Sequence, residues 1–302
     1  MSALLLYFAD EQAAAERLAQ ACGVPAACVE SHRFPDDELR LRLPLDSQGL
    51  LPSNVIVYRS LNRPNDKLVE LLLVAAQARD LGARHLTLVA PYLAYMRQDI
   101  AFHPGEIVSQ KVVGRFLAER FDAVITVDPH LHRIATLQEA IPIESAISLS
   151  GAPILAQLIA QHLERPLLVG PDAESAQWIE AAARAHHFDH GVCTKERRGD
   201  KDVEITLPEI DVRGRTVVLL DDIASSGRTI AAATQRLLQA GARSVDVAVT
   251  HALFAGDALQ VIKASGVGRI WSTDCIAHDS NAIHMAPLLA QALQPLLKGG
   301  ST

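Results

Sequence analysis

Short runs of aliphatic residues recur along this chain, separated by stretches in which apolar residues return every three or four positions. Runs at 4–8, 55–58, 85–90, 123–127, 167–169, 216–220, 245–250 and 269–273 predict strands. The run at 216–220 is apolar enough to be buried on both faces of a parallel sheet. Between the runs, residues 11–21, 65–81, 108–120, 152–163, 176–187, 257–265 and 287–297 predict helices, as does the stretch from Ile230 to near Gly241. Strand followed by helix, repeated, predicts open α/β layers. Two places break the rhythm. Residues 29–43 read as two strands around Pro35-Asp36-Asp37, a hairpin carrying Phe34 and Glu38. Residues 194–201 form a charged, Gly-containing connection between strands at 191–193 and 203–207, which can serve as a mobile flap.

The pattern also repeats over a longer distance. Leu81-Gly82-Ala83-Arg84-His85-Leu86-Thr87-Leu88-Val89 is echoed by Ala240-Gly241-Ala242-Arg243-Ser244-Val245-Asp246-Val247-Ala248, each after a strand, a turn and a helix. Two similar doubly wound parallel-sheet domains follow, expected at 1–148 and 149–302 with the boundary near Ser148.

The stretch with most chemistry is Thr216-Val217-Val218-Leu219-Leu220-Asp221-Asp222-Ile223-Ala224-Ser225-Ser226-Gly227-Arg228-Thr229-Ile230. It reads as a strand, two carboxylates, a turn of small residues and a helix start. Free N–H groups at Ser225, Ser226 and Gly227, aided by the helix dipole, suit a phosphate, and hydroxyls at Ser225, Ser226 and Thr229 add donors. Asp221 and Asp222 can reach sugar hydroxyls directly or through Mg²⁺. An ordinary strand-to-helix turn capped by Ser226 is the plainer alternative. The long loop at 91–106 and Asp128-Pro129-His130 lie at strand ends, where ligands of open α/β sheets bind.

Composition narrows this picture. The chain has 302 residues, a formal net charge of −7, 49% hydrophobic residues and only 4% aromatic ones. An acidic chain with no run of five Lys or Arg is a poor nucleic-acid surface, so cations for phosphate must be local. Residues 1–8 do not read as a signal peptide, and no apolar run is long enough for a membrane span. Cys22, Cys28, Cys193 and Cys275 lack CxxC spacing, which argues against zinc or a disulfide framework and fits a reducing cytoplasm.

Five motifs in order, Arg33-Phe34-Pro35-Asp36-Asp37-Glu38, Arg97-Gln98-Asp99, Asp128-Pro129-His130, Lys195-Glu196-Arg197 and the cradle from Asp221 to Thr229, resemble the ribose-phosphate diphosphokinase (phosphoribosyl pyrophosphate synthetase) family over nearly the whole chain. Phe102-His103-Pro104-Gly105-Glu106 is similar to its archaeal-type branch. The resemblance implies domains of the phosphoribosyltransferase type and transfer of the diphosphoryl group of ATP to the anomeric hydroxyl of ribose 5-phosphate, with Mg²⁺ as cofactor. It also implies at least a homodimer, with a hexamer left open. By the same resemblance, Arg97, Gln98 and Asp99 bind ATP, and Phe34, Asp36 and Glu38 reach the adenine from a neighbouring subunit. His130 and Asp172 would hold metal, Lys195 and Arg197 would be the catalytic cations of the flap, and Asp221, Asp222, Ser225, Ser226, Gly227, Arg228 and Thr229 would bind ribose 5-phosphate.

Some positions depart from the family. Ser225 stands where Asp is common, Arg228 where Gly is frequent, and Ala173-Glu174-Ser175 replaces a glycine-containing turn. Basic residues frequent around Ile100 in relatives are missing. These departures motivate a second expectation, a non-catalytic or regulatory relative; a phosphoribosyltransferase, needing only the cradle and a base-binding hood, is a third.

Overall fold

The structure, a computed structural model, describes residues 3–131, 133–198 and 202–299, without the side chains of 195–198, 202–204 and 299. Its chain divides into two compact units. The first runs to Leu149 and resumes at Met285; the second is Ser150–His284.

In the first unit, β1 (Ala3–Tyr7), α1 (Gln12–Cys22), β2 (Ala26–Cys28), a hairpin of β3 (Glu30–Arg33) and β4 (Leu39–Arg42), β5 (Asn54–Tyr58), α2 (Pro64–Asp80), β6 (His85–Val89), α3 (Ser109–Ala118), β7 (Ala123–Val127), α4 (Leu137–Ala140) and β8 (Ser145–Leu149) follow in order. A parallel sheet of order β2-β1-β5-β6-β7-β8 forms the middle layer. All five residues of β5 are buried, as a central parallel strand requires. Leu6, Val57, Leu71, Leu88 and Leu117 belong to the core on one face.

The second unit repeats the plan: α5 (Ala152–His162), β9 (Leu167–Gly170), α6 (Ala176–His186), β10 (Asp189–Val192), β11 (Thr194–Arg198), β12 (Asp202–Thr206), β13 (Thr216–Ile223), α7 (Arg228–Gln239), β14 (Ser244–His251), α8 (Ala258–Ala264), β15 (Ile270–Thr273) and β16 (Asn281–Ile283). Its parallel sheet has order β10-β9-β13-β14-β15-β16, the same winding as the first. Alternate residues of β13 enter different cores, Val217 and Leu219 on one face and Val218 and Leu220 on the other. This is the period-two geometry of a strand covered on both sides.

The last helix, α9 (Ala286–Gly299), departs from the single domain expected over 149–302. It belongs to the first unit, where it packs on α1 and against β7 and β8. Leu289, Ala290 and Leu293, fully or nearly buried, explain why: an amphipathic helix goes where its apolar stripe is covered. The expected flap also differs in part. Residues 194–198 form a strand, antiparallel to β12, with Lys195 paired to Ile205 and Arg197 to Val203 along the backbone. The Gly199-Asp200 turn lies outside the described residues. Among the described residues no helix is long and apolar enough to cross a membrane.

Candidate functional site

The cradle candidate lies at the carboxyl end of β13, and both acids lie within the strand, which runs three residues beyond the apolar run at 216–220. Asp221 pairs with Val249 and Ile223 with His251 of β14. The turn that follows is pinned from one side. Ala224 donates its N–H to the carbonyl of His251 at 3.1 Å, and the carbonyls of Ala224 and Ser225 accept from Phe254 at 2.8 Å and Ala255 at 2.9 Å. The amides of Ser225, Ser226 and Gly227 give no hydrogen bond to any described residue. They sit at the start of α7, at the positive end of its dipole. Gly227 adopts φ 70°, and a Cβ there would lie 2.8 Å from Ile262 Cγ1 and 2.9 Å from the Ala258 carbonyl of α8, so glycine is required on two counts. Ser226 and Arg228 are exposed at the lip, while Ser225 and Thr229 are half-buried.

Carboxylates gather beside these amides. Burial raises the Asp221 carboxyl well above the ordinary carboxylate range, and the charges of Asp222 and Asp172 raise it further. Asp172 follows β9 and caps a single turn: its Oδ1 accepts the Glu174 N–H at 3.2 Å, and its carbonyl accepts the Ser175 hydroxyl at 2.6 Å. Gly170 makes room, since a Cβ there would meet Ser175 Oγ at 2.1 Å. Glu174 itself is exposed. A buried carboxyl whose proton is held on by two neighbouring acids is a place where a cation would relieve the repulsion. Among the described residues no three His, Cys, Asp or Glu side chains are arranged to hold a metal ion. Nearby Cys193 is buried, its thiol pushed up to about 12 by desolvation and by Asp172, and so is inert as a nucleophile.

The first unit has no such cradle, and register shows what replaced it. Tyr58 pairs with Val89 as Leu220 pairs with Ala248, so where the second sheet continues into Asp221 and Asp222 the first continues into Arg59 and Ser60. Arg59, 5% exposed at its side chain, lies 2.6 Å from Asp10, 3.2 Å from Glu11 and 2.6 Å from Glu70. Lys67 Nζ adds contacts to Glu11 at 3.3 Å and to the Ser60 carbonyl at 2.6 Å. The tip is closed by its own ions.

Other candidates of the first unit lie further along its sheet. Arg97 and Gln98 are exposed, and Gln98 Oε1 accepts from Ser109 Oγ of α3 at 2.8 Å. Asp99 faces inward instead: its side chain is 2% exposed and its Oδ1 accepts from Arg133 Nη1 at 2.6 Å. After β7, Asp128 is buried with φ 37° and donates its N–H to the Leu149 carbonyl at 2.8 Å, a constrained bend two residues before half-buried His130. On the hairpin, Phe34 is 38% exposed, packs edge-on against His32 at 4.9 Å and has the Arg40 guanidinium 5.9 Å from its ring centre. It is therefore not a core aromatic. Exposed Asp36 caps the turn by accepting the Glu38 N–H at 3.3 Å, and Glu38 is exposed. Lys195 and Arg197 lie on β11, and their side chains are outside the described residues.

Phe254, Ala255 and Arg133 had no signal in the sequence. The first two act through backbone amides, and the third is visible only through its bond to Asp99.

Comparison with known proteins adds a family. A model of the N-terminal domain of ribose phosphate pyrophosphokinase matches residues 4–120, and a phosphoribosyl transferase domain model matches residues 139–267. The chain is 35% identical over 284 residues to the ribose-phosphate pyrophosphokinase of Methanopyrus kandleri, which is 93% of this chain and 94% of that protein. It is 32% identical over 286 residues to that of Methanosarcina acetivorans, covering 94% of this chain and 97% of the relative. Phosphoribosylpyrophosphate synthetase from Mycobacterium smegmatis superposes with a TM-score of 0.83 over 99% of this chain and 100% of its own, at 22% identity, a likeness of fold.

Proposed function

We infer that this chain, which belongs to the ribose-phosphate pyrophosphokinase family, transfers the diphosphoryl group of ATP to the anomeric hydroxyl of ribose 5-phosphate, giving AMP and 5-phosphoribosyl 1-pyrophosphate. The observation that carries the reading is the cradle: three undonated amides at a helix start beside clustered carboxylates suit a phosphate on one side and a sugar on the other.

In this reading the amides of Ser225, Ser226 and Gly227, with the Thr229 hydroxyl and Arg228, hold the 5-phosphate, while Asp221 and Asp222 face the ribose. The raised Asp221 carboxyl supports Mg²⁺ as the cofactor, for which Asp172 is a candidate ligand in the second unit and His130 a candidate ligand in the first. Mg²⁺ would supply neutralisation of the polyphosphate during in-line displacement. Arg97 and Gln98 bind ATP in the first unit, and Lys195 and Arg197 stabilise charge that shifts between phosphates in the transition state.

The exposed Phe34, Asp36 and Glu38 offer an aromatic edge and acceptors to an adenine held by a second copy. Phe102, Ile107 and Val112, exposed at 72%, 66% and 58%, support self-association into at least a dimer. Four free cysteines suit a reducing cytoplasm.

The test is direct. Purified chain incubated with ATP, ribose 5-phosphate and Mg²⁺ is expected to form AMP and phosphoribosyl pyrophosphate in equal amounts. AMP formed without ribose 5-phosphate, or none at all, overturns the reading, and a fully active monomer by light scattering overturns the shared adenine site.

A further inference from the structure

We propose that Arg133 is a further nucleotide-binding residue of this enzyme, gripping the polyphosphate of ATP, and that buried Asp99 positions it. The proposal rests on the reading that the first unit binds ATP.

The geometry of the pair is one-sided. Asp99 keeps only 2% of its side chain exposed, whereas Arg133 keeps 51%. Guanidinium carries five N–H donors, and among the described residues one of them, on Nη1, is engaged, with Asp99. An ion pair made for stability alone would leave its carboxylate wet or satisfy both its oxygens. Here Oδ2 of Asp99 is buried and has no hydrogen-bond partner among the described residues. The fold thus tolerates an under-satisfied buried carboxylate in order to hold one exposed guanidinium in place.

Location points to the ligand. Asp99 ends the Arg97-Gln98-Asp99 run, and Arg133 stands three residues beyond His130 on the loop leaving β7. Their bond ties together the two loops that carry the ATP-side candidates, at the carboxyl end of a parallel sheet. Charge points the same way. From Ile100 to Val108 the chain contains no Lys or Arg, so on that loop Arg97 is the permanent cation nearest to Asp99 in sequence. A triphosphate needs more than one, and a planar guanidinium held from behind by a carboxylate is the side chain best matched to phosphate oxygens. As phosphate draws Arg133 into a fixed plane, Oδ2 becomes available as the second acceptor of a bidentate Arg–carboxylate pair.

The experiment compares calorimetric binding of α,β-methylene-ATP and of AMP to the parent chain, Arg133→Ala, Arg133→Lys and Asp99→Asn, alongside thermal unfolding of each. AMP lacks the groups that Arg133 grips. Arg133→Ala is expected to weaken the triphosphate analogue by about tenfold to a hundredfold, the range of a charge-assisted hydrogen bond, with AMP changed by less than about twofold. Arg133→Lys should recover part of the loss, and Asp99→Asn should reproduce part of it. In steady state the KM for ATP rises with little change in the KM for ribose 5-phosphate. Equal weakening of both nucleotides, or a lowered unfolding midpoint with unchanged binding, overturns the proposal. Should Arg133→Ala fail to fold, the other two variants carry the same comparison. If the parent chain binds the analogue but makes no phosphoribosyl pyrophosphate, the proposed activity falls while the nucleotide contrast still decides the role of Arg133.

Discussion

Gly227→Ala tests the cradle at its narrowest point. The added Cβ would sit 2.8 Å from Ile262 Cγ1 and 2.9 Å from the Ala258 carbonyl, against the 3.4–4 Å of ordinary contact, and at φ 70°. A left-handed alanine costs about 1–2 kcal/mol, and forcing a methyl into filled space costs about 1–3 kcal/mol more. Reduced freedom of the unfolded chain returns about 0.4–1 kcal/mol. The net expectation is a loss of about 1–5 kcal/mol in urea unfolding. Relief can come only by moving α8 or the turn, and a moved turn misaims the amides of Ser225, Ser226 and Gly227. Ribose 5-phosphate affinity, measured by calorimetry, should therefore fall with stability. Gly214→Ala supplies the control: Gly214 has φ 68° with nothing within 4 Å of its Cβ position, so it isolates the backbone part. If Gly227→Ala loses no more than Gly214→Ala and binds ribose 5-phosphate as the parent does, the turn is not a tight phosphate cradle.

Three further outcomes are expected. Because Asp221 holds its proton to higher pH in the folded chain than in the unfolded one, ligand-free stability should fall as pH rises from the ordinary carboxylate range through its raised value. Mg²⁺ with ribose 5-phosphate should restore it, and Asp221→Asn should flatten the dependence in melts across pH; equal slopes for the two proteins would refute this. Lys195→Ala should cut turnover roughly a hundredfold to a thousandfold, about 2.7–4 kcal/mol in the transition state, with smaller changes in KM. A drop of less than about threefold, under about 1 kcal/mol, makes the hairpin a solvated one. Arg59→Met removes the centre of a buried network, leaving Glu70 without its cation and Glu11 with Lys67 alone, both carboxyls being ones that burial already raises. Denaturant unfolding should show a loss of about 3–5 kcal/mol, and a loss below about 1 kcal/mol would mean that the neighbours compensate fully.

The central strands were legible because burial on both faces leaves continuous apolar runs: 123–127 is expected and Ala123–Val127 is found. Of the edge strands only β10 was anticipated, by the expected run at 191–193. β8, Ser-Ala-Ile-Ser-Leu, is only partly buried and mixes polar with apolar residues, and three-residue β2 and β16 are too short to show a period. The turn was readable as composition, small residues after acids, yet the N–H groups of Phe254 and Ala255 that pin it, by donating to the Ala224 and Ser225 carbonyls, belong to a loop distant in sequence. The same limit hid the Asp99–Arg133 bond: a motif names a residue, whereas burial decides whether it touches a ligand or holds the side chain that does. It also hid the role of α9, whose apolar stripe is plain in the sequence while the surface that covers it is not.

That return of α9 to the first unit matters for how the protein is made. The second unit, Ser150–His284, is an insertion between two parts of the first. During synthesis it can emerge and fold while the first unit still lacks the helix that covers α1, since chains fold by domains as they are made at about 5–20 residues per second. The first unit is therefore completed last, after the second. A nascent or prematurely ended chain would present the bare face of α1 to other proteins while already holding a finished cradle, and quality control would meet it in that form.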